Sequence, residues 1–358
     1  MPVRSVGSGQ RLLDVVELLV SDPRLRIVFS KVPSIWANGV DGLLRDVGVT
    51  TLDWDRASTR AFDLVITASR CDVRRDRAPV VVIPGACGRR RVVPRSHDGL
   101  VPVPRPAGSA VLLTAHSDDL RRVGRDRVVL AGDLSFDRLA LSAGSRGAYR
   151  EALRVPVGHR LVVVVSAWGR GSLIVREPAL LHRFADELAE DRYRVAVLIH
   201  PMAWFSQDVE HLNAWMTTAR TASVQVIDPF TEWRPVVAAA DLVVGDRGSI
   251  TLYSAGAGLP VLLTSPVHAG STPTGRPAAV AHHAAVPRLR SDVPLPSQVD
   301  AARASRSPVL QRHVSEHITS VPGQAARRIR ARIYRMLRLP PPSAEPMITP
   351  IRGPRRMI

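Results

Sequence analysis

The sequence predicts an α/β protein of two Rossmann-like domains, each built on a parallel sheet, and three observations predict it. Its 358 residues exceed one ordinary core and suit two domains of usual size. Short β-branched runs alternate with helical patterns along most of the chain, as βαβ units around a buried sheet do. Apolar residues make up 45% of the chain and aromatic ones only 4%, so the cores are filled by Val, Leu, Ala and Ile.

Taken in order, an amphipathic helix is expected over Arg11–Val20, ending near Asp22-Pro23. Strands are expected at Arg26–Ser30, Val49–Leu52, Asp63–Thr67, Pro79–Ile83, Val111–Thr114 and Val128–Ala131. Gly132–Gly158 interrupts the alternation with Gly-rich and Pro-containing turns around a short helix, Ala148–Leu153, and the domain boundary is set there. The run Leu161–Val165 is too apolar to alternate and reads as a central strand covered on both faces. After it come helix Glu177–Glu190, strand Arg194–Ile199, helix Asp208–Arg220, strand Val224–Ile227, helix Glu232–Ala239, strand Asp241–Val244, helix Ser249–Ala257 and strand Pro260–Thr264. Val286–Ser307, rich in Pro and Arg, reads as weakly structured, and a helical region follows over Val309–Leu337. The expected division is therefore 1–145 and 146–320 for the two domains, 321–339 for a closing basic helix and 340–358 for a disordered tail.

In open α/β sheets ligands sit beyond the carboxyl ends of the strands, so four loops are candidates. The first runs from strand Asp241–Val244 through a glycine turn into a helix, and it places Gly245, Asp246, Arg247, Gly248, Ser249, Ile250 and Thr251 as the phosphate-binding set. Glycines let the backbone approach a ligand, helix-start N–H groups bind phosphate, and Arg247 adds a cation that does not deprotonate. An ordinary turn with Ser249 as N-cap is the plain alternative. The second is His200-Pro201, where a histidine can donate to a diphosphate or act as acid or base, or simply be solvated. The third, Ser166 to Ser172 with Trp168, Gly169 and Arg170, suits a phosphate or a hinge. The fourth, Pro84-Gly85-Ala86, follows a first-half strand and is either a cleft loop or a plain turn.

Other chemistry is set aside by pattern. The net charge of +17 is carried almost wholly by Arg, Lys31 being the only lysine, and the basic residues lack the interleaved aromatics that stack on bases, so nucleic acid is not an expected partner. Cys71 and Cys87 form no CxxC pair, which suits a reducing cytoplasm. No signal peptide and no apolar stretch of about 18 residues is present. His313-Val-Ser-Glu316-His317 matches a metalloprotease spelling without a downstream carboxylate partner, and no metal is expected. P-loop and G-x-S-x-G motifs are missing, and Gly7-Ser8-Gly9 is read as preceding a strand, so it is no dinucleotide fingerprint. The arginines of Gln324–Leu339 lie among apolar residues, so this helix either closes the fold or rests on anionic lipid.

These loops, in this order, resemble the GT-B superfamily, in particular bacterial proteins similar to CDP-glycerol glycerophosphotransferases of the teichoic-acid type. The likeness is carried by His200-Pro201, by Asp241 to Leu263 and by Gly132-Asp133-Leu134-Ser135-Phe136-Asp137-Arg138, within Arg26–Thr264. The resemblance implies two facing domains, a nucleotide-activated donor such as CDP-glycerol or an NDP-sugar, a polyol or glycan acceptor, and metal-free transfer without a cofactor, in the cytoplasm or at the inner membrane face. His200 would be catalytic, offsetting charge on the leaving diphosphate together with Arg247 and the helix at Ser249. Relatives usually carry His-Gly where Gly85-Ala86 stands here, and that histidine is the expected base. A catalytically weak binding protein and a nucleotide-sugar 2-epimerase are the alternatives.

Overall fold

The computed structural model describes residues 1–68, 78–83, 110–123, 128–169, 171–205, 224–246, 248–264 and 286–354. The chain divides into two units, Met1–Asp137 with Ile318–Ile348, and Arg138–His317 with Thr349–Ile358. The division thus falls ahead of the expected 145/146 boundary, and the closing helix belongs to the first unit. Asp137 explains its return. Its carboxylate accepts from the Gly323 and Ala325 N–H groups at 2.7 and 2.9 Å, which ties the start of that helix to the first unit.

In the first unit, β1 (Pro2–Val3) leads into α1 (Val6–Glu17), whose N-cap Ser5 forms a reciprocal capping box with Ser8. Gly7-Ser8-Gly9 therefore follows a strand, contrary to expectation. A Cβ on Gly9 would meet Leu43 Cδ2 at 2.5 Å, so this glycine permits close helix packing. β1 pairs in parallel with β2 (Ser30–Lys31), and Phe29 bridges Thr51. The expected strands Arg26–Ser30 and Val49–Leu52 contract to these few pairs, and Pro33 soon after removes the next donor. Helices α2 (Val40–Val47) and α3 (Trp54–Thr59) come next. A four-stranded sheet follows with the order of the sequence: β3 (Val65–Thr67), β4 (Val80–Val82), β5 (Ala110–Thr114) and β6 (Val128–Leu130), all parallel. Helix α4 (Asp118–Val123) links β5 to β6, and α5 (Leu134–Ser142) carries the chain across to the second unit.

The second unit starts with α6 (Arg146–Ala152) and then β7 (Arg160–Ser166), the predicted central strand. The expected helix Glu177–Glu190 forms over the shorter span of α8 (Leu180–Glu187), beyond Pro178, and a separate turn, α7 (Leu173–Arg176), precedes it. There follow β8 (Tyr193–Ile199), α9 (Pro201–Trp204), β9 (Val224–Val226), α10 (Trp233–Ala239), β10 (Leu242–Gly245), α11 (Ser249–Gly256) and β11 (Val261–Leu263). The five strands are parallel in the order β11-β10-β7-β8-β9, so the chain reverses direction across the sheet between β7 and β10. The expected helix Asp208–Arg220 lies outside the described residues.

Three C-terminal expectations change. Within Val286–Ser307, α12 (Leu295–Ala304) forms, because Pro294 and Pro296 sit at its start, where no N–H is needed, and Leu295, Val299 and Ala302 join the apolar core. Pro322-Gly323 breaks the last helical region into α13 (Pro308–Ile318) and α14 (Ala325–Leu337). Residues 340–354, expected to be disordered, run as coil held by side chains. Arg330 donates to the Pro342 and Ala344 carbonyls, Arg138 to Thr349, and Tyr149 to Ile351. The first core gathers Leu12, Phe29, Val81, Leu113, Ile329 and Ile333, and the second Val162, Val164, Phe184, Val197 and Val244, each such side chain worth about 1.5–3 kcal/mol. Among the described residues, no helix is long and apolar enough to cross a membrane.

Candidate functional site

The strand order reverses between β7 and β10, the place in an open α/β sheet where ligands are taken at the carboxyl edge, and three predicted loops meet there. The loop after β7 begins at buried Ser166, whose hydroxyl accepts from Ile174 N–H at 3.2 Å, while its carbonyl accepts from His200 N–H at 3.0 Å. Asp246 holds this loop from the other side. One carboxylate oxygen accepts from Ala167 N–H (2.6 Å) and Leu173 N–H (3.2 Å), and the other from Gly248 N–H (3.1 Å). Asp246 was grouped with the phosphate ligands, but both its oxygens face backbone N–H groups, so it shapes the loops that would meet a ligand. Burial pushes its carboxyl above the ordinary value, against the pull of those three donors.

Gly245 closes β10 where the backbone is crowded. A Cβ there would lie 2.7 Å from Thr251 Oγ1 and 3.2 Å from the Val165 carbonyl. Thr251 is fully buried and its hydroxyl has no hydrogen-bond partner, as is the case for the buried hydroxyls of Ser172 and Thr264 near the same strand ends. Gly248, rather than Ser249, is the N-cap of α11, and no side chain caps this helix. Its first turn, Ser249, Ile250 and Thr251, therefore starts a helix N-terminus that carries the positive end of the dipole and lacks a capping oxygen. Ser249 itself is exposed.

His200 is the N-cap of α9, and its Nδ1 accepts from Met202 N–H at 3.1 Å. That bond puts the proton of a neutral ring on Nε2. The Trp168 and His200 rings are 6.3 Å apart, and Gly169, at φ +85°, lets the loop turn beside them. Arg247, Arg170, Pro84, Gly85 and Ala86 lie outside the described residues.

Sequence reasoning missed the aromatic side of this edge. Phe205, after α9, stacks on Phe230 at 5.5 Å, and Trp233 stacks on Tyr253 at 5.5 Å. Arg234, only 2% exposed, pairs with Glu232 at 2.8 Å and lies under Trp233. The signal was present in Phe230-Thr-Glu-Trp-Arg234, two aromatics within five residues, shortly after β9, in a chain that is only 4% aromatic. At the opposite edge of the sheet, Asp241 binds Arg146 (2.8 Å) and Arg150 (2.9 Å). These arginines also donate to the last carbonyls of α10, at Ala238, Ala239 and Ala240, so this part of the motif is architectural. His313 and His317 face one another on α13 with ring centroids 4.4 Å apart, and His317 Nδ1 engages the His313 carbonyl.

No protein-family model matches the chain, and no curated protein matches it. Solved structures do. The wall teichoic acid polymerase TagF aligns with a TM-score of 0.61 at 12% identity, over 94% of this chain and 88% of that one. UDP-GlcNAc 2-epimerase from Neisseria meningitidis, bound to UDP-GlcNAc, aligns at 0.54 and 13% identity, over 93% and 98% of the two chains. A putative UDP-N-acetylglucosamine 2-epimerase from Listeria monocytogenes gives 0.57 and 13%, over 95% and 96%. The fold is thus GT-B-like, an α/β architecture with parallel sheets in both units.

Proposed function

We propose that the protein is a GT-B transferase that moves a glycerophosphate or sugar from a nucleotide-activated donor to a hydroxyl of a polyol or glycan, without a metal, at the cytoplasmic side of the cell envelope. The observation that carries this reading is the carboxyl edge at β7 and β10, where the start of α11, which no side chain caps, offers backbone N–H groups to an anion and His200 stands at the end of the neighbouring strand β8. A diphosphate held there keeps its leaving charge on donors fixed in advance. The half-buried rings of Phe205, Phe230 and Trp233 follow strands β8 and β9 of the same sheet and suit the flat base of a nucleotide. TagF, the polymerase of similar fold, has been solved with CDPG soaked in, and the Neisseria epimerase with UDP-GlcNAc.

The test is thermal unfolding with CDP-glycerol, UDP-sugars and free nucleotides, since a ligand of the native state raises the melting temperature. At least one is expected to do so, and His200→Ala is expected to lower turnover by about 100-fold with or without EDTA. No shift with any donor would end the donor reading. The epimerase relatives in fold support a second reading, which conversion of UDP-GlcNAc to its C2 epimer without an acceptor would select. Donor binding with no product would instead leave a binding protein.

A further inference from the structure

We propose that the first unit carries a second ligand site, an apolar pocket that takes the chain of a single-chain anionic amphiphile such as a fatty carboxylate. The cavity measures about 430 Å³, within the range of small-molecule sites, and its walls include Leu25, Ile27, Trp54, Phe62, Val65 and Leu337. It lies at the amino edge of the unit, against Pro2 of β1, the first residue of β3 and Ala78 ahead of β4. Ligands of the transferase type sit at the opposite, carboxyl edge, so this pocket is separate from donor chemistry.

Two observations give the ligand its chemistry. The wall is aliphatic and aromatic on α3, β3 and α14, yet charged residues accompany it: Arg24, Arg26, Arg60 and Asp63. Arg24 is engaged by Asp22 and by the Pro340 carbonyl. Arg26 and Arg60 are exposed, and among the described residues neither has an ion-pair partner, which leaves a net positive rim suited to an acidic head group. Ser30 also lines the cavity. It is 5% exposed, and among the described residues its hydroxyl has no hydrogen-bond partner, which a polar ligand atom would supply. An apolar body alone would leave both unmet.

Calorimetric titration of the full chain with laurate below its micelle concentration, with dodecanol and with inorganic phosphate tests the site. Laurate is expected to bind saturably, one per chain, and phosphate not at all. Ala57→Trp, which fills the cavity from α3, is expected to abolish laurate binding, while the paired surface changes Arg26→Ala and Arg60→Ala weaken it on the order of tenfold and leave dodecanol unchanged. Laurate binding that survives the tryptophan, dodecanol binding as tight as laurate, or capture of anionic phosphatidylglycerol vesicles without any binding of free laurate would each overturn the proposal. So would no binding. Donor-induced stabilisation at the other edge is measured separately, and its failure leaves this site untouched.

Discussion

A carboxylate buried at the carboxyl edge of a parallel sheet ordinarily suggests acid–base work, yet the three N–H groups around Asp246 give it another role. Asp246→Asn keeps the shape but turns an NH2 toward backbone donors. The variant is expected to lose about 1–3 kcal/mol in denaturant unfolding and to bind donor more weakly, because the loops after β7 and β10 lose their common anchor. Tyr334 makes a different kind of link. Its hydroxyl donates to Asp22 at 2.6 Å inside the first unit, and burial, with the Asp22 charge behind it, pushes the phenol from 10 up to about 12. A phenol whose value is raised on folding contributes stability that is present below pH 10 and lost as pH rises to about 12. Asp22 works in the other sense. The Arg24 and Tyr334 hydrogen bonds hold it well below the carboxylate range, so its contribution is present above about pH 4 and fades as acid is added. Alkaline melting curves of Tyr334→Phe should therefore lack the slope that the parent protein shows above pH 10.

Elements differ in how plainly the sequence announced them, and burial explains the difference. Leu161–Val165 was readable because a strand covered on both faces is a continuous apolar run, and Arg194–Ile199 differs from β8 only by its first residue. β1, at two residues, offers no period to detect, which is why Gly7-Ser8-Gly9 was placed before a strand instead of after one. α12 was hidden by its prolines, which look like breakers in composition but occupy the first turn, where they are tolerated. At the site, the glycine turn and His200 were legible as residue types. The tautomer of His200 and the inward turn of Asp246 were not, since both depend on backbone N–H groups that only the folded loops bring near. Gly245 belongs to the element it ends: Gly245→Ala would press on Thr251 and on the Val165 carbonyl, so a loss of about 1–3 kcal/mol is expected, measured by the shift in denaturant midpoint. A glycine-to-alanine change without crowding would stabilise instead.

At the scale of the molecule, the two units have different completeness along the chain. Among the described residues the second core draws on the one stretch from Val162 to Ala302, whereas the first core needs Ala325, Ala326, Ile329, Ile333 and Tyr334 from α14. A fragment of residues 138–317 is expected to melt cooperatively by circular dichroism. Residues 1–137 alone should give no sigmoidal transition, and adding the 318–348 segment in trans should restore one. The two-domain reading was legible from length and alternation. A closing helix was legible too, but not that it completes the core of the first unit, because a helix pattern shows which face is apolar but not which partner receives it.

That return sets a timetable during synthesis. Chains usually fold from the N-terminus onward, but here the first half leaves the ribosome without the helix that completes its core. At ordinary elongation speeds the wait lasts roughly 10–40 s. Over that interval Leu12, Phe29 and Val111 have no finished partner, while the residues of the second core, from Val162 to Ala302, have already been made. The core begun first is thus the core completed last, and it is the one a chaperone would be expected to hold.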